Sequence, residues 1–352
     1  MGSTRRGQIL GRIAESKILF PIIALAMILL FDLFVVPGFF NLQTIDGHLY
    51  GNLVDIPRNG STIMLLALGM TLVIATGGVD LSVGAVMAIS ASVAALLINP
   101  DLQTLANDPN FSATPLWAVV LIALVVGGLC GAWNGLLVAY AGIQPMVATL
   151  ILMIAGRGIA QLITNGVRVQ IFYEPYAFLG NGWIVLPFSL LIVAILFTAS
   201  WLFTRRTALG TFIEAVGINA RSSFYSGVNE KRVKLVAYMF CGLCAAMAGI
   251  VESSSVQTSD ANNIGLNFEL DAILAVVIGG TALGLGGRFS LFASLIGALV
   301  IQAITTSMYA VGVPASGLLA IKGFVVILVI LLFSVQVRDW LRTLALQRSG
   351  SQ

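Results

Sequence analysis

Charge is what this 352-residue sequence has least of. Only 9% of its residues are Asp, Glu, Lys or Arg, against about 25% in a soluble globular domain, and the mean hydropathy is +0.99. A soluble domain with a charged surface is therefore excluded. A net charge of +3 is no nucleic-acid signature, and no nucleic-acid partner is expected. The single histidine, His48, leaves no material for a His-based metal site or catalytic triad. The three cysteines, Cys130, Cys241 and Cys244, all lie inside apolar runs. The Cys241-Gly-Leu-Cys244 spacing imitates a redox or zinc pair, but in an apolar helix with no histidine nearby it reads as packing. No Gly-x-x-x-x-Gly-Lys-Ser/Thr loop occurs, so this chain is expected to bind no nucleotide, metal or other cofactor of its own. If it works with ATP and Mg, another subunit holds them.

What the sequence has instead is apolar runs long enough to cross a hydrocarbon core about 30 Å thick. They fall near 18–36, 61–77, 83–99, 115–139, 146–164, 184–203, 233–253, 271–286, 289–309 and 316–335, predicting an all-α polytopic protein of about ten spans in contact with membrane lipid. Charge tests the count. With the N-terminus inside, Arg5, Arg6, Arg12 and Lys17, then Arg205, Arg206, Arg221, Lys231, Arg232 and Lys234, then Arg288, and finally Arg338, Arg342 and Arg348 are all cytosolic. Only Arg58 and Arg168 lie outside, where Asp46, Asp55, Asp101, Asp108, Glu174, Asp260 and Glu269 collect. This is the positive-inside asymmetry. It gives a cytosolic segment 1–17, a membrane domain 18–335 with a cytosolic loop 204–234, and a cytosolic tail 336–352. No cleavage site follows the first run, so that run reads as a retained span.

Spans 2 and 7 cross in opposite senses, so 2–5 and 7–10 are permitted as inverted repeats; a Gly-Gly break occurs in each half, at Gly77-Gly78 and Gly279-Gly280. Gly127, Gly131 and Gly135, four apart, mark a face where another helix can approach closely. Gly280 with Gly284 and Ala293 with Gly297 repeat the spacing.

The rare polar groups inside spans are the candidates for passage or gating. Asp80, after Gly77-Gly78, is placed to cap the next helix or to take part in gating, and the two roles are compatible. Ser82 follows it. Asn134, Glu252, Asp271, Gln302 and Thr305 are the other candidates, as polar groups suited to a watery path for a neutral hydroxyl-rich solute, or as interhelical hydrogen-bond partners. Arg157, between two glycines, is the costliest intramembrane charge. It is expected to pair with Asp80, Glu252 or Asp271, with helix-end carbonyls as the other option. Lys322 snorkels or pairs. Asp80, Glu252 and Asp271 would also serve as ion ligands in a secondary transporter coupled to protons or sodium. A membrane-embedded enzyme is disfavoured, because no zinc pair, Ser/His pair or intramembrane Asp dyad is present.

The loop 204–234 is too long and too patterned for a bare connector. It holds a helix-like core from Phe212 to Val216 around Glu214 and Ala215, with Gly217 as its expected stop. Phe212 and Val216, four apart, are expected to fill a partner's groove, and Glu214 and Arg221 to set the register at its rim.

Several of these stretches together resemble one family. Gly-Gly-Val-Asp-Leu-Ser-Val-Gly (77–84), Ala-Thr-Leu-Ile-Leu-Met-Ile-Ala-Gly-Arg-Gly (148–158), Glu-Ala-Val-Gly-Ile-Asn (214–219), Phe-Glu-Leu-Asp-Ala-Ile-Leu-Ala-Val-Val-Ile-Gly-Gly (268–280) and Lys322-Gly323 are similar to the membrane permeases of ribose-type ABC sugar importers. Within that family the wording of 69–80, 144–153 and 260–266 resembles permeases for galactofuranose. The resemblance implies about ten helices and a dimeric pathway formed with a second permease chain, identical or sister. It also implies two cytosolic ATP-binding subunits that hold ATP and Mg, a periplasmic sugar-binding protein, and a bacterial inner-membrane location. The segment Glu214–Arg221, with Asn219, would be the helix that seats in the ATPase. Ala220-Arg221-Ser222 departs from the two alanines expected there, and Leu319-Ala320-Ile321 from an expected glutamine before Lys322.

Overall fold

A computed structural model describes residues 18–45, 47–100 and 112–333. The expected segment 1–17, Asp46, Asp101, Asp108, the end of the last span and the tail 336–352 lie outside the described residues. The chain forms α1 (Leu19–Val35), the hairpin β1 (Gln43–Ile45) and β2 (His48–Tyr50), α2 (Asn52–Ala75), α3 (Val83–Ile98), α4 (Leu116–Ala139) and α5 (Pro145–Ile163). After β3 (Val169–Gln170) come α6 (Glu174–Asn181), α7 (Phe188–Arg206), α8 (Leu209–Ile218), α9 (Ala220–Tyr225) and α10 (Glu230–Ser255). Then follow β4 (Thr258–Ser259), α11 (Phe268–Ile278), α12 (Leu291–Val311) and α13 (Ala315–Phe333). All ten expected spans have a helix at their place, so the protein is a polytopic helical membrane protein. Among the described residues, six helices are long and apolar enough to cross by themselves. Exposed side chains such as Leu129, Ile154, Leu162 and Ile195 face outward on these helices, as lipid contact requires.

The bundle is built around α2, which is buried along almost its whole length. It lies between α10, α11 and α12. The small-residue face of α4 does what its spacing predicted. A Cβ on Gly127 would strike Ala246 and the Gly242 carbonyl, and one on Gly131 would strike the Tyr238 carbonyl, so α4 and α10 touch backbone to backbone. Gly297 of α12 sits in the same way on the Ala275 carbonyl of α11. Gly280 and Gly284 belong to no helix face; the helix ends at Ile278 and both lie in the loop beyond it. Cys241 and Cys244 are buried and free, packed against Gly69 of α2.

Several contacts match the permitted inverted repeat, although α3 lies on α5 without a like contact of α11 on α13 among the described residues. α10 lies on α4 as α2 lies on α12, α10 on α3 as α2 on α11, and α3 on α4 as α11 on α12. The Gly-Gly pairs, however, are not equivalent positions in it: Gly77-Gly78 follows the first helix of its half and Gly279-Gly280 the second. What they share is a local job. At the end of α2, the Gly77 N–H donates to Ile74 O (2.9 Å) and the Gly78 N–H to Val73 O (3.1 Å). At the end of α11, the Gly280 N–H donates to Val277 O (2.9 Å) and the Thr281 N–H to Val276 O (3.2 Å). Both are Schellman ends, with Gly77 and Gly280 at positive φ, where a side chain is disfavoured.

Two spans are interrupted. The eighth was expected to run to 286, but α11 has only 11 residues, about 16 Å and half a hydrocarbon core. α3 has 16 residues, and the chain reaches its first residue through the non-helical limb 76–82. The starts of the two short helices meet. Gly84 and Gly265 pack backbone to backbone, and a Cβ on Gly84 would also strike the Glu269 carboxylate. Glu269 and Asp55, expected in outer loops, are thus in the first turns of α11 and α2, and Arg58 is inside α2.

Candidate functional site

The limb 76–82 brings Asp80 to the middle of the bundle, beside Cys241, about 17 Å along the 26-residue α10. Its Oδ1 accepts from the Ser82 N–H (2.9 Å), from the Ser82 hydroxyl (2.6 Å) and from Asn134 Nδ2 (3.3 Å). Asn134 Nδ2 also donates to Ser82 Oγ at 2.7 Å. The expected cap does not form: Asp80 lies two residues before Ser82, the N-cap residue of α3, and closes an Asx turn on Ser82 instead of accepting from an amide of the helix. The cluster is fully buried and its carboxylate lies at the positive end of the α3 dipole, which favours it. Tyr238 donates to the Val79 carbonyl (3.2 Å), and the Leu81 N–H donates to Thr149 Oγ1 (3.1 Å). The limb is thus held from α4, α5 and α10 at once.

Arg157 of α5 corrects the expectation of an interior ion pair. Its Nη1 donates to the carbonyls of Ala261 (3.2 Å) and Ile264, on the second non-helical limb, which leads from β4 to α11. No carboxylate lies within ion-pair distance of it among the described residues. The physical reason is local: residues 260–267 leave the regular ladder inside the bundle, and their carbonyls need a donor. Lys322 of α13, in contrast, pairs with Asp271 Oδ2 at 2.7 Å, both side chains largely buried.

Glu252 lies near the other end of α10, about 17 Å of helix rise beyond Cys241, so it does not converge with Asp80. Its Oε2 accepts from the Thr62 hydroxyl at 2.9 Å. A cavity of about 260 Å³ opens beside it between α2, α6, α10, α11 and α12, and Gln302 lines its far wall. Thr305 is not there; its hydroxyl donates to Ile301 O (3.0 Å) within its own helix. Of the seven path candidates the fold assembles Asp80, Ser82 and Asn134 into one cluster, places Glu252 and Gln302 on one cavity, and gives Asp271 to Lys322. Among the described residues no group of three or more His, Cys, Asp or Glu could hold a metal ion.

Sequence reasoning passed over Asp32 in α1, which is fully buried and accepts from the Ser307 hydroxyl at 2.7 Å. An acid in an apolar run was the available signal. It also missed the Tyr176–Ser253 hydroxyl contact (2.6 Å), which joins residues 77 apart and leaves no local trace.

On the face carrying Arg205, Arg206 and Arg221, the loop 204–234 folds into α8 and α9. Phe212 is exposed, and Glu214 and Ala215 are half-buried. Val216, expected to reach a partner, is 2% exposed and packs inward with Ile213. Gly217 does not end the helix. It is the closest contact in the region: a Cβ there would be driven into the Ala75 carbonyl and the Gly287 amide, whose N–H donates to that carbonyl at 2.8 Å. The break comes at Asn219, which follows α8 and caps α9 by accepting from the Ser222 N–H (2.9 Å). Arg221 is exposed on α9. Ile218, Phe224 and Tyr225, not singled out by pattern, are 70%, 65% and 75% exposed.

A family model described as branched-chain amino acid transport system / permease component matches residues 52–334. The galactofuranose transporter permease protein YtfT of Escherichia coli (strain K12) is 48% identical over 314 residues, 89% of this chain and 88% of that protein. The fructose import permease protein FruF of Bifidobacterium longum (strain NCC 2705) is 41% identical, covering 80% of this chain and 77% of its own length. The ribose import permease protein RbsC of Escherichia coli (strain K12) is 34% identical, covering 84% and 87%. No solved structure matches. With interrupted helices inside a polytopic bundle, and a match over most of its length, the chain belongs to the branched-chain amino acid transport system / permease component family.

Proposed function

We propose that this protein is the membrane-spanning permease subunit of an ATP-driven importer that carries a neutral monosaccharide, galactofuranose or a similar pentose or hexose, from periplasm to cytosol. The observation that carries the reading is the α8–α9 module. Its inner side, Ile213, Val216 and Gly217, is locked onto the end of α2, while Phe212, Ile218, Phe224 and Tyr225 stand exposed beside Arg221. An apolar surface rimmed by charge, on a rigid helix of a membrane protein, is suited to seat in a partner. In this reading ATP and Mg are held by two cytosolic ATP-binding subunits, a periplasmic binding protein delivers the sugar, and a second permease chain, identical or sister, completes the pathway. The protein sits in the bacterial inner membrane with both termini cytosolic. The names of the similar proteins support the sugar class, with galactofuranose favoured by the 48% identity.

Mechanically, α8 rests at the Ala75 carbonyl, where the limb to Asp80 begins, and on Gly287, in the loop between α11 and α12. A push on α8 therefore reaches both interrupted helices. The ion-coupled alternative is weaker, because Asp80, Glu252 and Asp271 each have separate partners and share no site.

The test is co-purification and uptake. Phe212→Ala and Arg221→Ala, on the exposed side, are expected to leave the protein inserted but to abolish sugar-stimulated ATP hydrolysis and uptake by the reconstituted complex. Full stimulated hydrolysis and normal uptake in both variants would reduce α8–α9 to a connector. A thiol label at Asn219 reading cytosolic and one at Asn263 periplasmic checks the sidedness.

A further inference from the structure

The cavity beside Glu252 has the makings of a binding site rather than a mere gap. Arg58 reaches it from α2, held there by donating from Nη2 to Asn181 Oδ1 at 2.8 Å. Its Nε is buried and has no hydrogen-bond partner among the described residues. A buried guanidinium nitrogen left without an acceptor costs free energy and points to a ligand or water that supplies one. Glu252 is engaged through Oε2 only, so its second oxygen is open to a donor. Gln302 makes only a long 3.4 Å contact with Thr306, leaving its amide able to donate and accept. Ser255 adds a hydroxyl and Phe268, first residue of α11, an aromatic face.

We infer that this cavity is a receiving subsite for one neutral monosaccharide inside each permease chain. The inference rests on the importer reading and names the place where that importer first holds its cargo. Three features decide the ligand class. One carboxylate and one guanidinium balance each other, so a charged ligand would leave a net charge in a poorly hydrated site, which is costly. The donors and acceptors are mixed, which matches vicinal hydroxyls that both donate and accept, and the phenyl ring can cover the C–H side of a sugar. At about 260 Å³ the cavity lies just below the range of ~300–1,000 Å³ usual for drug-sized ligands. A single monosaccharide is of the size that this volume holds. A sugar here would touch α2 and α10, which the repeat interchanges, and the start of α11, so its arrival is felt at an interrupted helix.

The test measures binding and transport separately. The full-length permease in lipid nanodiscs, without binding protein, is titrated with tritiated D-galactose, D-ribose and D-fructose, and with sucrose and maltose as the size control. The same protein is reconstituted with its ATP-binding subunits and binding protein for uptake. At least one monosaccharide is expected to bind, with no disaccharide competing. Gln302→Ala and Glu252→Gln should each weaken binding by about tenfold or more, with the melting temperature of Gln302→Ala close to that of the parent. Retained binding in both variants, or wild-type uptake without detectable monosaccharide binding to the permease, overturns the subsite and leaves the cavity to water. Binding that follows this pattern in a protein with no ATP-dependent uptake would overturn the importer reading and leave the subsite standing.

Discussion

The two interrupted helices, α3 and α11, hold their buried charges by different means. The limb to α3 keeps its carboxylate, Asp80, among neutral donors: a backbone N–H, the Ser82 hydroxyl and the Asn134 amide. The limb to α11 uses full charges, with Arg157 on its carbonyls and Lys322 on Asp271. The Asp80 cluster is closed by Asn134 of α4 and is fully buried. The cations come from α5 and α13. The carboxylate side of this network is hydrogen-bonded, whereas Asn134 Oδ1 is buried with no partner among the described residues, so the network is only partly satisfied. Long cationic side chains from α5 and α13 tie the second limb and α11 to their neighbours, and breaking the Lys322–Asp271 tie leaves a buried charge unpaired.

The largest effect is expected where α8 grips both units. Gly217→Val forces a side chain into the Ala75 carbonyl and the Gly287 amide, backbone that cannot step aside. We expect a loss in the exceptional class of ~4–5 kcal/mol or more, seen as loss of monodisperse protein on size-exclusion chromatography in mild detergent. A normal profile would mean that α8 is not seated as described.

Next comes Lys322→Met. It strands Asp271, and unpairing a buried ion pair costs ~3–5 kcal/mol. A clear fall in melting temperature in detergent is expected, with much of it restored in the double variant Lys322→Met/Asp271→Asn. Failure of the second change to restore stability would show that the pair is not what Lys322 contributes.

Arg157→Leu removes the donor from two carbonyls, at about 1–3 kcal/mol for each group left unsatisfied. Because the partners are carbonyls and not a carboxylate, Arg157→Gln should recover part of the loss, whereas a neutral amide would do little for an orphaned acid. Equal melting temperatures for the Leu and Gln variants would contradict this.

The smallest change is expected for Asn134→Ala on the neutral side. Asp80 keeps its two Ser82 donors, so the loss should be about 1 kcal/mol. A drop as large as that of Lys322→Met would erase the distinction between the two limbs.

How much of this was legible beforehand depends on the range of the interaction. The ten apolar runs, the Gly127/Gly131/Gly135 face, the two Gly-Gly helix ends and the patterned loop with its helix are local signals, and each has its element in the fold. Asp80 was singled out from Gly-Gly-Val-Asp alone. The missed features need neighbours far away in the chain. Val216 reads as a free apolar anchor until α2 and α10 are placed against it. Gly217 reads as a helix stop until Ala75 and Gly287 arrive on either side. Arg157 was matched first to a carboxylate, with helix-end carbonyls only as the second option, because a broken segment carries no mark in composition, and span 8 was drawn too long because hydropathy continues past the point where the helix ends at Ile278.

The sequence by itself determined that this is a many-spanned helical membrane protein, where its helices lie along the chain, which family it belongs to, and which few polar residues had to be accounted for. Those are matters of hydropathy, glycine spacing and local wording, and they survive without coordinates. Only the tertiary structure decided which polar residues share a site. Asp80, Ser82 and Asn134 come together because the limb before α3 turns back into the bundle against α4. Arg58, Glu252 and Gln302 come to one cavity because α2, α10 and α12 pack side by side. A buried polar group is stable only with a partner, and the partner's identity is set by which helices touch, a relation between segments up to more than two hundred residues apart.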